Sequence, residues 1–241
     1  VGVTAIAERH RVAVPGGTLA LVLHLPPTPG RADCVIACHG LGASKDSDKY
    51  LLLAAEFPAA GFALARFDFR GCGESTGVEA ETTVATRVED CRAVLAHLAG
   101  HRRLSGRFAL LGSSMGGYVA LVVAAGSDGA PPLVTWNAPS RLDDVRVDPA
   151  TPGLGPALAD EVRAGRHREA PSGVRGHLVV QADLDDVVPP AHGRALWARA
   201  AEPRDLVMIA GADHRLSDPA HRRAAAARSV DWIQRRFKEK A

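Results

Sequence analysis

Apolar positions along the chain recur with two different spacings, and the places where one gives way to the other mark the elements. Thr4 to Val14 and Thr18 to Leu25 flank Pro15-Gly16-Gly17 and predict an antiparallel hairpin. After the turn from Pro26 to Gly30, short apolar runs alternate with helical periodicity. Runs at Cys34 to Cys38, Phe62 to Phe67, Phe108 to Leu111, Leu133 to Trp136, His177 to Gln181 and Leu206 to Ile209 predict strands. Helical spacing covers Lys49 to Ala60, Thr83 to Ala99, Met115 to Ala125 and Ala191 to Ala201, and a long helix follows from Pro219 to Lys238. In the Thr83 helix, Val84, Val88, Cys91, Leu95 and Leu98 supply the apolar positions. Buried runs of this length separated by helices predict an α/β protein with a mostly parallel, eight-stranded sheet and helices on both faces.

One interval departs from this rhythm. Between Ser140 and Gly176 lie about 37 residues rich in Pro, Gly, Arg and Asp, where a short crossover would suffice. A helix from about Ala157 to Gly165 is expected inside it. The segment reads either as a solvated crossover or as a short cap over a pocket. All 241 residues then form one domain, with a cap insertion at about 140–176.

Charge narrows the partners. The chain has 29 Lys and Arg against 27 Asp and Glu, a net charge of +2, and its basic residues are scattered. Such a surface lacks the field that draws nucleic acid. The late cluster Arg235-Arg236, Lys238 and Lys240 complements the dipole of the last helix and needs no partner. No apolar stretch approaches the roughly 18 residues of a membrane span, so no membrane partner is expected. Val1-Gly2-Val3-Thr4 lacks the layout of a signal peptide, and the expected location is cytoplasmic. The four cysteines show no metal-ligand spacing. Cys34 and Cys38, four apart on one predicted strand, are too distant to bridge, so free thiols are expected.

The candidate chemistry lies in Gly112-Ser113-Ser114-Met115-Gly116-Gly117, directly after an apolar strand and at the start of an apolar helix. In Gly-x-Ser-x-Gly the central serine occupies a strained strand-to-helix turn, and the glycines remove β-carbons that would collide there. Only Ser114 has glycine at both −2 and +2; Ser113 would need it at Leu111. Taken alone, the string is also compatible with a Gly-rich turn carrying a capping serine. A nucleophilic serine further needs a base, an acid that orients the base, and N–H donors for an oxyanion. Asp183-Leu184-Asp185-Asp186 follows one predicted strand and Asp213-His214 the next, which gives the chain order Ser, Asp, His.

With these residues in place, the chain resembles the α/β-hydrolases over residues 4 to 238. His39-Gly40-Leu41-Gly42 is similar to the family's His-Gly oxyanion loop. Asp68-Phe69-Arg70-Gly71-Cys72-Gly73-Glu74-Ser75 is similar to its Asp-x-Arg-Gly-x-Gly-x-Ser loop, found in esterase, monoacylglycerol-lipase-like and peptidase-like branches. Gln181 to Pro189 resembles its Gly-x-x-Asp-x-x-Val-Pro segment, with Ala182 in place of the glycine. The resemblance implies an α/β-hydrolase fold, a catalytic set of Ser114, Asp185 and His214, and an oxyanion hole from the Leu41 and Met115 N–H groups. His39, Gly40, Gly112 and Gly116 would support the loops. No metal or organic cofactor is implied.

Rival assignments stand beside each of these. Asp183 or Asp186 is an alternative acid, Asp143 and Asp144 offer another site, and all three residues of the 183–186 cluster could merely cap the next helix. His192 and His221 also follow the acid, but both fall within predicted helices. Cys38 and Cys72 border the expected site, where packing competes with thiol chemistry. Trp136 and Trp197 are candidates for pocket walls, while Trp232 has the spacing of a core residue. The expected function is hydrolysis of short- to medium-chain carboxylic esters, including feruloyl or cinnamoyl esters, through an acyl-enzyme. A peptidase or acylaminoacyl hydrolase and a non-catalytic binding protein of the same fold are the alternatives.

Overall fold

The computed structural model describes residues 6–143 and 155–239. β1 (Ile6–Val14) and β2 (Gly17–Leu25) form the predicted hairpin. β2 runs antiparallel to β4 (Ala63–Phe67); the remaining pairings, among β4, β3 (Ala32–Cys38), β5 (Leu104–Ser113), β6 (Leu133–Trp136), β7 (Arg175–Ala182) and β8 (Ala201–Ile209), are parallel. The order across the sheet is β1-β2-β4-β3-β5-β6-β7-β8. This is the α/β-hydrolase fold expected above.

Two helical layers cover the sheet because consecutive strand residues point to opposite faces. Val35, Leu64, Leu111, Val134 and Val180 meet Tyr50, Leu53 and Phe57 of α1 (Asp48–Ala59) and Ala225, Ile233 and Phe237 of α6 (Pro219–Glu239). On the other face, Cys34, Ile36, Leu110 and Val179 meet side chains of α2 (Val84–Ala99), α3 (Met115–Ala125) and α5 (Pro190–Arg199). Both parities are apolar along each central strand, which is why those strands read as unbroken hydrophobic runs.

The insertion contains α4 (Pro156–Arg163), close to the expected helix. Its buried Glu161 reaches across to the start of α2, accepting the Val84 N–H at 2.6 Å and the Ala85 N–H at 3.1 Å. Those N–H groups have no acceptor inside their own helix, and the anion also complements the helix dipole. Gly155 lies so close to Ala80 that a β-carbon would sit 1.7 Å from the Ala80 carbonyl oxygen. The described half of the insertion is therefore docked on the body. Asp144 lies outside the described residues.

The structure corrects one expectation about the aromatic residues. Trp136 is fully buried on β6, and its Nε1–H donates to Ser229 Oγ of α6 at 3.0 Å, so it is core and walls no pocket. Trp197 is part-exposed under the Arg204 guanidinium. Trp232 is buried, as expected. No helix among the described residues is long and apolar enough to cross a membrane.

Candidate active site

The site is assembled from loops at the carboxyl ends of β3, β5, β7 and β8. Where β5 turns into α3, Ser114 adopts φ 56° and ψ −126°, a conformation that L-residues rarely hold. The turn is fixed by Ser114 N–H donating to the Trp136 carbonyl at 2.8 Å. Two glycines make it possible. A β-carbon on Gly112 would lie 2.2 Å from the Gly116 carbonyl oxygen, and one on Gly116 would lie 2.2 Å from that of Cys38. The motif is thus a packing requirement: α3 can begin against β3 and β5 only where those β-carbons are missing.

His214, in the loop after β8, lies with Nε2 3.1 Å from Ser114 Oγ and Nδ1 2.7 Å from Asp185 Oδ2. A carboxylate only accepts, so Nδ1–H donates to Asp185 and neutral Nε2 is left to accept the serine proton. Asp185 is buried, and its Oδ1 takes the N–H groups of Val187 at 3.0 Å and Val188 at 2.7 Å. Its neighbours differ. Asp183 is exposed and accepts the Gly211 N–H at 2.7 Å, Asp186 is exposed, and Asp143 is held by Arg141 and Arg168. Of these, only Asp185 meets the histidine. Ala182 does not disturb the register. His192 is buried and holds Ser140, and His221 lies in α6.

The Leu41 loop runs directly over Ser114: a β-carbon on Gly40 would stand 3.1 Å from Ser114 Cβ. Met115 is the first residue of α3, so its N–H has no acceptor inside the helix. Neither that group nor the Leu41 N–H hydrogen-bonds to another described residue. His39 braces this loop. Its Nδ1 lies 2.8 Å from the Gly40 carbonyl and Nε2 accepts the Phe69 N–H at 3.1 Å, which fixes the neutral Nδ1–H tautomer. Burial, aided by the Arg87 cation, pushes its pKa down to about 4, so it stays neutral near pH 7.

The Asp68 loop proves to be scaffolding. Asp68 accepts the N–H groups of Lys45 at 2.7 Å and Glu74 at 2.9 Å and pairs with Lys45 Nζ at 3.0 Å. Arg70 reaches Asp90, and Ser75 Oγ–H closes on the Asp68 carbonyl at 2.7 Å. The cysteines are structural: all four are buried and free, and burial raises the Cys72 thiol to about 12. The Cys38 thiol is raised first by its contact with Cys91, 3.7 Å away, and then by burial.

Three contributors were not singled out in the sequence. Asn137, just past β6, donates from Nδ2 to the His214 carbonyl at 2.8 Å and accepts the Ala182 N–H at 2.8 Å. Glu79 accepts the Gly42 N–H at 3.3 Å and pairs with buried Arg87 at 3.2 Å. Lys49 donates to Ser113 Oγ at 2.8 Å, immediately beside Ser114. Burial lowers its pKa to about 8 against the pull of Asp185 and Asp213. An Asn directly after an apolar strand is the one signal the sequence carries; the other two depend on contacts between distant segments.

Fold and site together define the class: the chain has the α/β-hydrolase fold, with a serine, a histidine and an aspartate in line at the carboxyl ends of its strands. The Hydrolase_4 family model, described as serine aminopeptidase, S33, matches residues 30–136, spanning the loop 39–42 and Ser114 but ending before Asp185 and His214. The uncharacterized protein YfhR of Escherichia coli K12 is 26% identical over 211 residues, covering 86% of this chain and 73% of that one. Among solved structures, Est1E from Butyrivibrio proteoclasticus with bound ferulic acid is similar at TM-score 0.81 and 17% identity, covering 95% of this chain and 99% of that one. XC6422 from Xanthomonas campestris, an α/β serine hydrolase without a lid, is similar at TM-score 0.71 and 22% identity, covering 98% of this chain and 96% of that one.

Proposed function

We propose that the protein hydrolyses short- to medium-chain carboxylic esters through an acyl-enzyme. The observation that carries this reading is the unbroken line from Asp185 through His214 to Ser114 Oγ, at 2.7 and 3.1 Å, beside two uncommitted N–H groups. Ser114 Oγ attacks the ester carbonyl as His214 Nε2 takes its proton, and the oxyanion forms between the Leu41 and Met115 N–H groups. The tetrahedral species collapses, the alcohol leaves with the proton from His214, and water repeats the sequence to release the acid. Asp185 holds the imidazole in the productive tautomer throughout and stabilises it when charged.

The preference for small acyl groups rests on the short, mostly polar insertion. The ferulic acid bound by Est1E makes hydroxycinnamoyl esters worth including in a substrate panel. The aminopeptidase family model favours a second reading, hydrolysis of aminoacyl amides at the same serine. A p-nitrophenyl ester series of increasing acyl length, run beside aminoacyl p-nitroanilides, separates the two. We expect ester turnover with an optimum at short to medium chains and little anilide cleavage. Peptide mapping after fluorophosphonate labelling should place the adduct on Ser114; labelling elsewhere refutes the site, and inertness to both panels and to the probe supports a binding role.

A further inference from the structure

A second cluster of reactive side chains lies far along the sheet from Ser114, on the edge hairpin. Glu8 and His10 are two apart on β1, so they share the face turned toward α2. His97, in the last turn of α2, and His101, just beyond it, are four apart and emerge on one side. His101 Nε2 lies 2.9 Å and His10 Nε2 3.6 Å from the same Glu8 oxygen, and one ligand atom from each of the three residues lies within 4.8 Å of the others. Behind them, His97 Nε2 is 3.3 Å from His10 Nδ1.

From this arrangement we infer that Glu8, His10 and His101 form a binding site for a divalent transition-metal ion of the zinc type, with His97 orienting His10. Ligands about 2.0–2.1 Å from a tetrahedral zinc ion stand about 3.4 Å apart, a spacing that the 2.9 and 3.6 Å separations bracket. His10 Nε2 is a buried nitrogen without a hydrogen-bond partner, an atom that ordinary packing leaves unexplained and a metal would satisfy. The contact to His97 is the kind of outer hydrogen bond that fixes the tautomer of a ligating imidazole. Two imidazoles and a carboxylate suit zinc better than magnesium or calcium, which favour all-oxygen shells. The side chains of Glu8, His10 and His101 are 30%, 19% and 15% exposed, so an ion can enter without the body opening. Binding moves the proton that His101 Nε2 shares with Glu8 to the ring's other nitrogen by way of solvent. His101 Nδ1 then carries the ring's proton, at the expense of a long 3.3 Å contact from the Arg103 N–H. A metal held here would pin the edge strand to α2.

The test is zinc titration of the full-length chain by calorimetry at neutral pH, with melting temperatures measured in parallel. One equivalent should bind, and at about 100 times the dissociation constant the melting temperature should rise by about 5–11 °C. His10→Ala and His101→Ala should each weaken binding by about 100-fold, and His97→Ala by about 10-fold. Glu8→Gln, which keeps the side-chain shape, serves if an alanine variant fails to fold, and should also weaken binding. Hydrolysis by Ser114 should be unchanged in all four variants. The inference is overturned if the wild type takes up no zinc at about 100 µM, or if the His10→Ala/His101→Ala double variant binds it as tightly as the wild type.

Discussion

Asp185→Asn isolates the orienting carboxylate with almost no change in shape. Oδ1 of Asp185 is engaged by the Val187 and Val188 N–H groups, at 3.0 and 2.7 Å, and only an acceptor can occupy that position. The carbonyl oxygen of the replacement amide stays there, and its NH2 group turns to His214 Nδ1, where Oδ2 stood at 2.7 Å. Nδ1 must now accept. The imidazole proton therefore moves to Nε2 and points at Ser114 Oγ, which removes the base, at the further cost of the 3.4 Å contact that Gln181 Nε2 makes to Oδ2. A comparable change in other triads costs about 10⁴-fold in kcat, or about 5.5 kcal/mol. With p-nitrophenyl acetate we expect kcat to fall about 10³–10⁴-fold, with KM and melting temperature little altered. Asp183→Asn keeps its carbonyl on the Gly211 N–H and should stay within about threefold of the wild type, as should Asp186→Asn. Retention of more than about a tenth of wild-type kcat by Asp185→Asn, or an equal loss in Asp183→Asn, would refute the assignment.

Glu161→Ala removes both acceptors from the start of α2 and should cost about 2 kcal/mol, lowering the melting temperature by about 4–8 °C with calorimetry as the readout. Lys49 has a folded-state pKa of about 8, against 10.5 when exposed, so between those values the unfolded chain holds the extra proton and stability rises with pH. Lys49→Met should abolish that rise and stabilise the protein at pH 7 by about 1–2 kcal/mol, the lost Ser113 hydrogen bond offsetting part of the gain; denaturant melts at pH 7 and 10 decide it. Burial lowers His24 and His39 to about 4 and His177 to about 3, so as pH falls from 6.5 toward 4 the unfolded chain takes up protons that the folded one refuses. Stability should drop steeply in that window, and His177→Gln should flatten the drop by about 1.4 kcal/mol per pH unit.

The sequence was most legible where a residue's role depends on its neighbours along the chain. β6 and α3 fall where their apolar runs place them, and Ser114 follows from glycines two residues away on either side. Strand ends were harder to read. β5 begins at Leu104, not Phe108, because Ser105 and Arg107 occupy its more exposed half, where hydrogen bonding continues without an apolar run. β8 begins at Ala201 for the same reason, its first half reading Glu202-Pro203-Arg204-Asp205 at the sheet margin. The choice of Asp185 over Asp183 and Asp186 rests on the resemblance to the family; in the structure Asp185 is buried and meets His214 at 2.7 Å. Glu79, Glu161 and Lys49 act across segments that only the fold brings together, and nothing adjacent to them in sequence announces it.

Sheet order explains why Asn137 belongs to the site although it touches no reacting atom. β5 leads into Ser114 and lies next to β3, so Gly40 can cross Ser114 directly. Asp185 and His214 follow β7 and β8, with β6 standing between them and Ser114. A loop extending from β6 into that gap would block the line from serine to histidine. Instead the chain turns sharply at Asn137, which takes φ 51° in the left-handed region that asparagine tolerates better than most residues. Its amide then joins the end of β7 to the His214 loop, satisfying one N–H and one carbonyl. The intervening strand is thereby converted from an obstacle into the tie that sets the separation of Asp185 and His214. The 3.1 Å reach from His214 to Ser114 is accordingly a property of three neighbouring strand ends, held by the sheet rather than by the loops alone.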